Sequence, residues 1–255
     1  MHTNNQNLIP KIDLSIIIVC FNSEKTIRRC IESIINQICL PAEIIIIDGK
    51  STDKTLEIIS DYKDLINIMV SEKDDGIYHA MNKGITLVNS SFFMFVNSDD
   101  YFKDSKCLTK YRESLTDIKI DILFPNILYV DNGKITRKWD FCEVDCESYL
   151  ATRIPHPGTA VRKTFANKVG LFNTNFKVAA DFDYFLRLLL HKAKYKHINS
   201  YIINMEVGGA SDGNILDFAK QNIEILRSLK INGFGFFHML IFFFDRINFK
   251  LKQKL

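Results

Sequence analysis

Two unbroken apolar runs near the amino end set the architecture. Residues 14–20 read LSIIIVC and residues 43–48 read EIIIID, the continuous β-branched pattern of strands buried on both faces of a parallel sheet. Between them Ile27, Ile31, Ile34, Ile35 and Ile38 recur at helical spacing, with Asn22 or Ser23 placed to cap the helix start. The rhythm then repeats. STDKTLEII (51–59) opens with capping-type residues, and INIMV (66–70) is a third strand. Ile77, Met81, Gly84, Ile85 and Val88 mark one face of a further helix, and FFMFV (92–96) is a fourth strand. This alternation predicts an α/β fold with a mostly parallel central sheet flanked by helices, and ligands bound outside the carboxyl ends of its strands.

Beyond residue 104 the pattern changes. DILFPNILYV and KITRKW flank DNG, a hairpin turn signal, so an antiparallel element is expected there. Residues 181–192, DFDYFLRLLLHK, place Phe182, Phe185, Leu186 and Leu189 on one helical face, and Asp183 lies four residues before Arg187, the spacing of a helical ion pair. KHINSYII reads as a strand, VGGASDGN as a flexible loop and 215–230 as a helix. No internal repeat or low-complexity linker interrupts the chain.

Composition narrows the class. At 255 residues the chain can bury one large core, and 47% hydrophobic with 25% charged residues describes a globular protein, soluble or peripheral to a membrane. A net charge of only +3, with lysines scattered rather than striped, leaves nucleic-acid binding without an electrostatic footprint. The six cysteines have no CxxC pairing and read as reduced packing thiols; Cys142 and Cys146 have no second pair to complete a metal site. The polar amino terminus lacks a secretory pattern, which predicts a cytoplasmic protein.

The candidate chemistry is carboxylate chemistry at strand ends. Asp99 and Asp100 follow the fourth apolar run directly; a hard divalent cation would relieve their repulsion, taking carboxylate and diphosphate oxygens, while the plainer reading is a solvated turn capping the next helix. Asp48 precedes a Gly turn and a helix start, where a carboxylate can accept from a base N–H or a ribose hydroxyl. In SEKDDGIYHAMNKG (71–84), Asp74 sits before a Gly turn, and the helix after it offers Asn82 and Lys83 on its polar side; Lys83 meets a phosphate or is one more solvated lysine. Asp181 begins the strongest helix of the second half. A carboxylate so placed either takes a proton from a substrate hydroxyl or answers the helix dipole.

Five blocks in order, SIIIVCFNSEKTIRRCIESIINQ, EIIIIDGKSTDKT, SEKDDGIYHAMNKGI, FVNSDD and PHPGTAVRKTFANKVGLFNTNFKVAADFDYFLRL, resemble the family 2 glycosyltransferases of the GT-A fold, in particular the bacterial branch of surface-polysaccharide synthesis. The resemblance implies that Asp48 contacts the nucleobase and that Cys20, Phe21 and Asn22 border the same pocket; Asp74, Asn82 and Lys83 are the further donor-side candidates read from the residues themselves. It further implies that Asp100 binds Mg2+ or Mn2+, that Asp99 contacts the ribose or assists the metal, and that Asp181 is the general base. The chain departs from the commonest pattern at Asn97, where many relatives carry an acid, and at Ala180, where many have Glu. His156 falls in a stretch the family places near the acceptor, or simply stiffens a loop between two prolines; Gly208 and Gly209 form a lid over the donor or a plain turn.

The implied reaction is transfer of a sugar from a nucleotide diphosphate to an acceptor hydroxyl with inversion. The expected acceptor is a lipid-linked glycan of O-antigen, capsule or exopolysaccharide synthesis. A nucleotidyltransferase is the rival enzyme class, but CFNSEKT lacks the glycines of its phosphate loop; a non-catalytic nucleotide-sugar-binding subunit is the other alternative. The expected division is a catalytic domain over 1–212 and a helical extension over 213–255. The Phe-rich stretch 233–255 with its basic end is short for a bilayer span and reads as an interfacial helix at the inner face of the plasma membrane, or as a core helix.

Overall fold

The structure, a computed structural model, describes residues 10–117, 119–144, 146–207 and 215–252. The four apolar runs form β1 (Lys11–Cys20), β2 (Leu40–Asp48), β3 (Ile68–Ser71) and β4 (Phe92–Phe95), joined by α1 (Ile27–Ile35), α2 (Thr55–Ser60) and α3 (Ile77–Leu87). They pair in parallel in the order β3-β2-β1-β4. Register aligns Cys20 with Asp48 and Asp48 with Ser71, so the carboxyl ends of three strands finish on one line.

The helices start differently from the pattern's expectation. Neither Asn22 nor Ser23 caps α1 with its side chain; the Ser23 carbonyl accepts the N–H of Thr26 and of Ile27 instead. Asn22 takes a positive φ of 50° and its Oδ1 accepts the Thr52 N–H, which ties the loop after β1 to the loop after β2. Ile38 lies beyond α1 and Ile77 opens α3; both are exposed, and Tyr78 and Ala80 take the inward places on α3. Gly84 is required where α3 crosses β1, since a Cβ there would lie 2.5 Å from Ile17 Cγ2.

The parallel order does not extend across the whole sheet. After β5 (Tyr101–Phe102) and α4 (Cys107–Leu115), β6 (Ile122–Asp131) and β7 (Lys134–Trp139) form the expected hairpin, with Asn132 and Gly133 at positive φ in its turn. Past α5 (Glu147–Ala151), β8 (Ala160–Arg162) runs antiparallel to both β4 and β6. After α6 (Lys163–Val169) and α7 (Ala180–Leu190), β9 (Tyr195–Glu206) lies parallel to β6 and antiparallel to β5. The sheet is therefore mixed from β8 onward, and β9 brings Glu206 back toward the ends of β1 and β4.

Alternate β1 residues feed the two cores. Ile17 and Val19 pack toward α3 and α7, while Ile16 and Ile18 pack toward α1 and α4. The chain closes with α8 (Ile215–Ile231) and α9 (Phe236–Lys252). Arg153 pairs with Asp245 at 2.6 Å, Ser148 with His238 at 2.7 Å, and Tyr149 stacks on Phe242, so α9 is held beside α5. Phe236, Phe237, Leu240, Ile241 and Phe244 stay exposed. Among the described residues, no helix is long and apolar enough to cross a membrane.

Candidate active site

A cleft of about 1110 Å³ opens at the carboxyl ends of β1, β2 and β4 and is closed on one side by the end of β9. The size suits a ligand larger than a simple sugar. Phe21, Gly49 and Lys50 line one part, Asn97, Asp99 and Asp100 another, with Asp74 and Glu206 at its flanks. Phe21 is 61% exposed and lies over Gly49, where a Cβ would stand 3.4 Å from the ring, so an aromatic face is presented to the cleft.

Asp48 sits beneath this wall, fully buried. Its Oδ2 accepts the Ser51 N–H at 3.0 Å and the Ser71 hydroxyl at 2.6 Å, and its Oδ1 accepts the Ser51 hydroxyl at 2.5 Å. The Cys20 thiol donates to the same oxygen at 3.7 Å; burial, then the Asp48 charge, raises that thiol far above the ordinary range and keeps it protonated. Asp48 thus organises the turn that carries Gly49 and Lys50 into the cleft.

Asp100 is buried and receives the Asn97 Nδ2 at 3.0 Å. Burial, then the neighbouring Asp99 charge, pushes its carboxyl well above the usual range, and burial raises Asp99 as well. The Asn97 Oδ1 is buried with no hydrogen-bond partner. Two adjacent acids and an orphan amide oxygen therefore share the cleft wall, and among the described residues no cationic side chain is bonded to either carboxylate. Arg29 comes near but bonds the Asp99 carbonyl at 3.0 Å and pairs with Glu206 at 2.7 Å.

Asp181 occupies the first turn of α7, where its Oδ1 accepts from the Tyr78 hydroxyl at 3.2 Å. Tyr78 follows Gly76 and Ile77, which line the cleft, so this bond joins the base candidate to the cleft's α3 edge. Burial, then the Asp181 charge, holds the Tyr78 hydroxyl protonated well above its ordinary value. His156 is half-buried against Phe95, Phe172 and Phe185, and both ring nitrogens are buried without a hydrogen-bond partner. Burial lowers its pKa, and the Asp181 charge works in the opposite direction.

Two donor-side candidates lie elsewhere. Asn82 exchanges both amide groups with the Phe172 backbone, at 3.0 and 2.9 Å, and fastens α3 to the segment before α7. Lys83 Nζ is held between Glu72 and Asp74, 2.6 Å from each, so its charge is spent inside the protein; neither residue lines the cleft. Asp74 does line it, with Oδ1 on Lys83 and Oδ2 buried without a hydrogen bond. Gly208 and Gly209 lie outside the described residues.

Glu206 and Arg29 were not legible as site residues. Glu206 reaches the cleft only because β9 returns parallel to β6, a pairing between segments far apart in the chain. Arg29 sits on a helix face that reads as solvated, yet its guanidinium stacks on Tyr101 at 4.2 Å and braces the Asp99 turn.

Comparison with known proteins agrees with this geometry. The model of glycosyl transferase family 2 matches residues 15–182. The chain belongs to that family and is a glycosyltransferase, which sets aside the nucleotidyltransferase and non-catalytic readings. It is 27% identical over 206 residues to a PGL/p-HBAD biosynthesis glycosyltransferase of Mycobacterium bovis, covering 78% of each chain. It is 28% identical to chondroitin synthase of Escherichia coli over 217 residues, 82% of this chain but 31% of that one. The fold matches S. aureus TarS with a TM-score of 0.67 at 20% identity, over 89% of this chain and 41% of TarS. It also matches the mannosyltransferase PcManGT from Pyrobaculum calidifontis, solved with GDP-Man and Mn2+, with a TM-score of 0.65 at 14% identity, over 88% and 65%.

Proposed function

We propose that the protein is an inverting, metal-dependent glycosyltransferase that moves a sugar from a nucleotide diphosphate to an acceptor hydroxyl. The observation that carries this reading is the pairing, on one cleft wall, of the buried Asp100 and the half-buried Asp99 with the unpartnered Asn97 Oδ1. These are hard oxygen donors, and Mg2+ or Mn2+ is bound by one or two carboxylates together with phosphate oxygens. Asp100 would hold the ion, with Asp99 turned toward the ribose; among the described residues no larger cluster of His, Cys, Asp or Glu forms a closed metal centre. When bound, such an ion stabilises negative charge on a departing diphosphate.

The protein's own residues do the rest. Phe21 offers its face to the nucleobase above the turn that Asp48 organises, and Lys50 stands beside it. Asp181 accepts the acceptor's hydroxyl proton as the new C–O bond forms on the side opposite the leaving group, which inverts the anomeric carbon; such base catalysis is worth about 10²–10⁴ in rate. His156, packed against Phe95, Phe172 and Phe185, is read as bordering the acceptor side. A solved TarS structure holds UDP-GlcNAc, which supports a nucleotide-sugar donor.

The acceptor we propose is a lipid-linked glycan, reached at the cytoplasmic face of the membrane. The support is the exposed row Phe237, Leu240, Ile241 and Phe244, one apolar stripe at helical spacing on α9. The reading is tested by a donor screen that follows nucleoside diphosphate release with Mn2+, Mg2+ or chelator, using lipid-linked and soluble acceptors. Release that requires both a divalent cation and an acceptor is expected; release from no nucleotide sugar under any of these conditions contradicts it.

A further inference from the structure

The helix that carries Asp181 has no cap of its own: Ala179 precedes it, and no side chain there caps its first turn. The three amides just before the helix are met from α8. Glu224 Oε2 accepts the N–H of Val178 at 2.9 Å and of Ala179 at 3.0 Å, and its two oxygens share the Lys177 N–H at 2.9 and 3.0 Å. One turn further along α8, Ser228 donates to Asp183 Oδ1 at 2.7 Å, while Arg187 holds the other oxygen of Asp183 at 2.8 Å. From the opposite side the Tyr78 hydroxyl meets Asp181 itself.

A carboxylate that accepts from successive backbone amides fixes their orientation, and negative charge at a helix amino end is favourable. Asp181 lies two residues after the last of those amides, so the Glu224 bonds set where its carboxylate stands. We infer that Glu224 is a positioning residue for sugar transfer: it clamps the 177–179 turn so that Asp181 is held in the geometry in which it takes the acceptor proton. This rests on the reading of Asp181 as the base. It makes α8 part of the catalytic apparatus, although the donor cleft is built from β1, β2, β4 and β9.

The test compares E224A, E224Q and D181N in the full chain, with kcat, donor KM and affinity for the nucleoside diphosphate measured on folded enzyme. Small displacements of a catalytic group cost about 10²-fold, so E224A is expected to lose about tenfold to a hundredfold in kcat while donor KM and nucleotide affinity stay near wild type. E224Q, whose amide oxygen still accepts from the turn, keeps most of the wild-type kcat. Should E224A not fold, E224D, which keeps the charge but shortens the reach, is read by the same criterion. Wild-type kcat per folded molecule in E224A or E224D overturns the inference, even where melting temperature falls. If D181N is inactive, that result leaves the base reading standing; if D181N turns over normally, the base reading fails and the Glu224 inference with it.

Discussion

Asn97 and Asp100 stand across one turn, the amide nitrogen of the first 3.0 Å from a carboxylate oxygen of the second, while the Asn97 amide oxygen is left buried and unpartnered. Replacing that amide by a carboxylate, N97D, sets a third acid beside Asp99 and Asp100. Without metal the variant is expected to melt lower than wild type, by several degrees for about 1–3 kcal/mol of repulsion and lost hydrogen bonding. Added Mn2+ should return most of the difference. Calorimetric melting in chelator and in Mn2+ checks this; equal melting of both proteins in chelator counts against it.

Tyr78 holds Asp181 by a single hydroxyl. Y78F keeps the ring packed against Phe172 and removes the hydroxyl, with its bond to the Asp181 carboxylate and its contacts to the Asp181 and Ala180 backbone, so kcat should fall at least about tenfold, the value of one hydrogen bond to a charged group, with donor KM little changed. D181N should fall by about 10²–10⁴. Steady-state kinetics of the two variants separates orientation from proton transfer.

Gly84 offers a stability test remote from the chemistry. An alanine methyl would lie 2.5 Å from Ile17 Cγ2, and a helix packed that closely on a strand must shift to admit it. G84A is expected to lose about 1–3 kcal/mol, although alanine alone would favour the helix. Urea unfolding reads the sign directly.

Glu43 predicts a pH dependence. Burial pushes its carboxyl up, but hydrogen bonds from Ser15 and from the Asn89 backbone and side chain more than offset this and hold it below the ordinary value. A carboxyl depressed in the folded state adds stability above its unfolded pKa and loses it as pH falls through the folded one. E43Q should therefore melt lower than wild type by about 2–5 °C at pH 7, and the gap should close as pH drops below about 4. A gap that widens in acid would reverse the assignment.

The exposed row on α9 predicts membrane contact. Phe237 is 79% exposed and Ile241 62%; changing both to Glu removes two apolar anchors worth about 1.5–3 kcal/mol each when buried. Sedimentation with vesicles rich in anionic phospholipid should fall at least about tenfold, with transfer to a soluble acceptor unchanged. Equal sedimentation of variant and wild type would leave the stripe without a lipid role.

The four strands from β1 to β4 were legible because buried parallel strands need unbroken Ile and Val runs, and helices between them show their period. The acids at the strand ends were legible for the same reason: register places residues that follow such runs at one sheet edge. The partners of Asn82 and Lys83 were not legible because periodicity reports a polar face but not its neighbour, which here is the Phe172 backbone for one and Glu72 with Asp74 for the other. Glu206 and Glu224 were invisible since each acts across a contact set by tertiary packing, through β9 in one case and α8 in the other.

Donor binding turns on the cleft wall formed by Asp99 and Asp100. Its most direct test is titration of wild type and D100N with the nucleoside diphosphate of the best donor, in Mn2+ and in chelator. Wild type should bind in Mn2+ and lose at least about tenfold in chelator, with D100N weak in both, as removal of a charged contact worth about 1.5–3 kcal/mol requires. Equal affinity of both proteins with and without metal would contradict it.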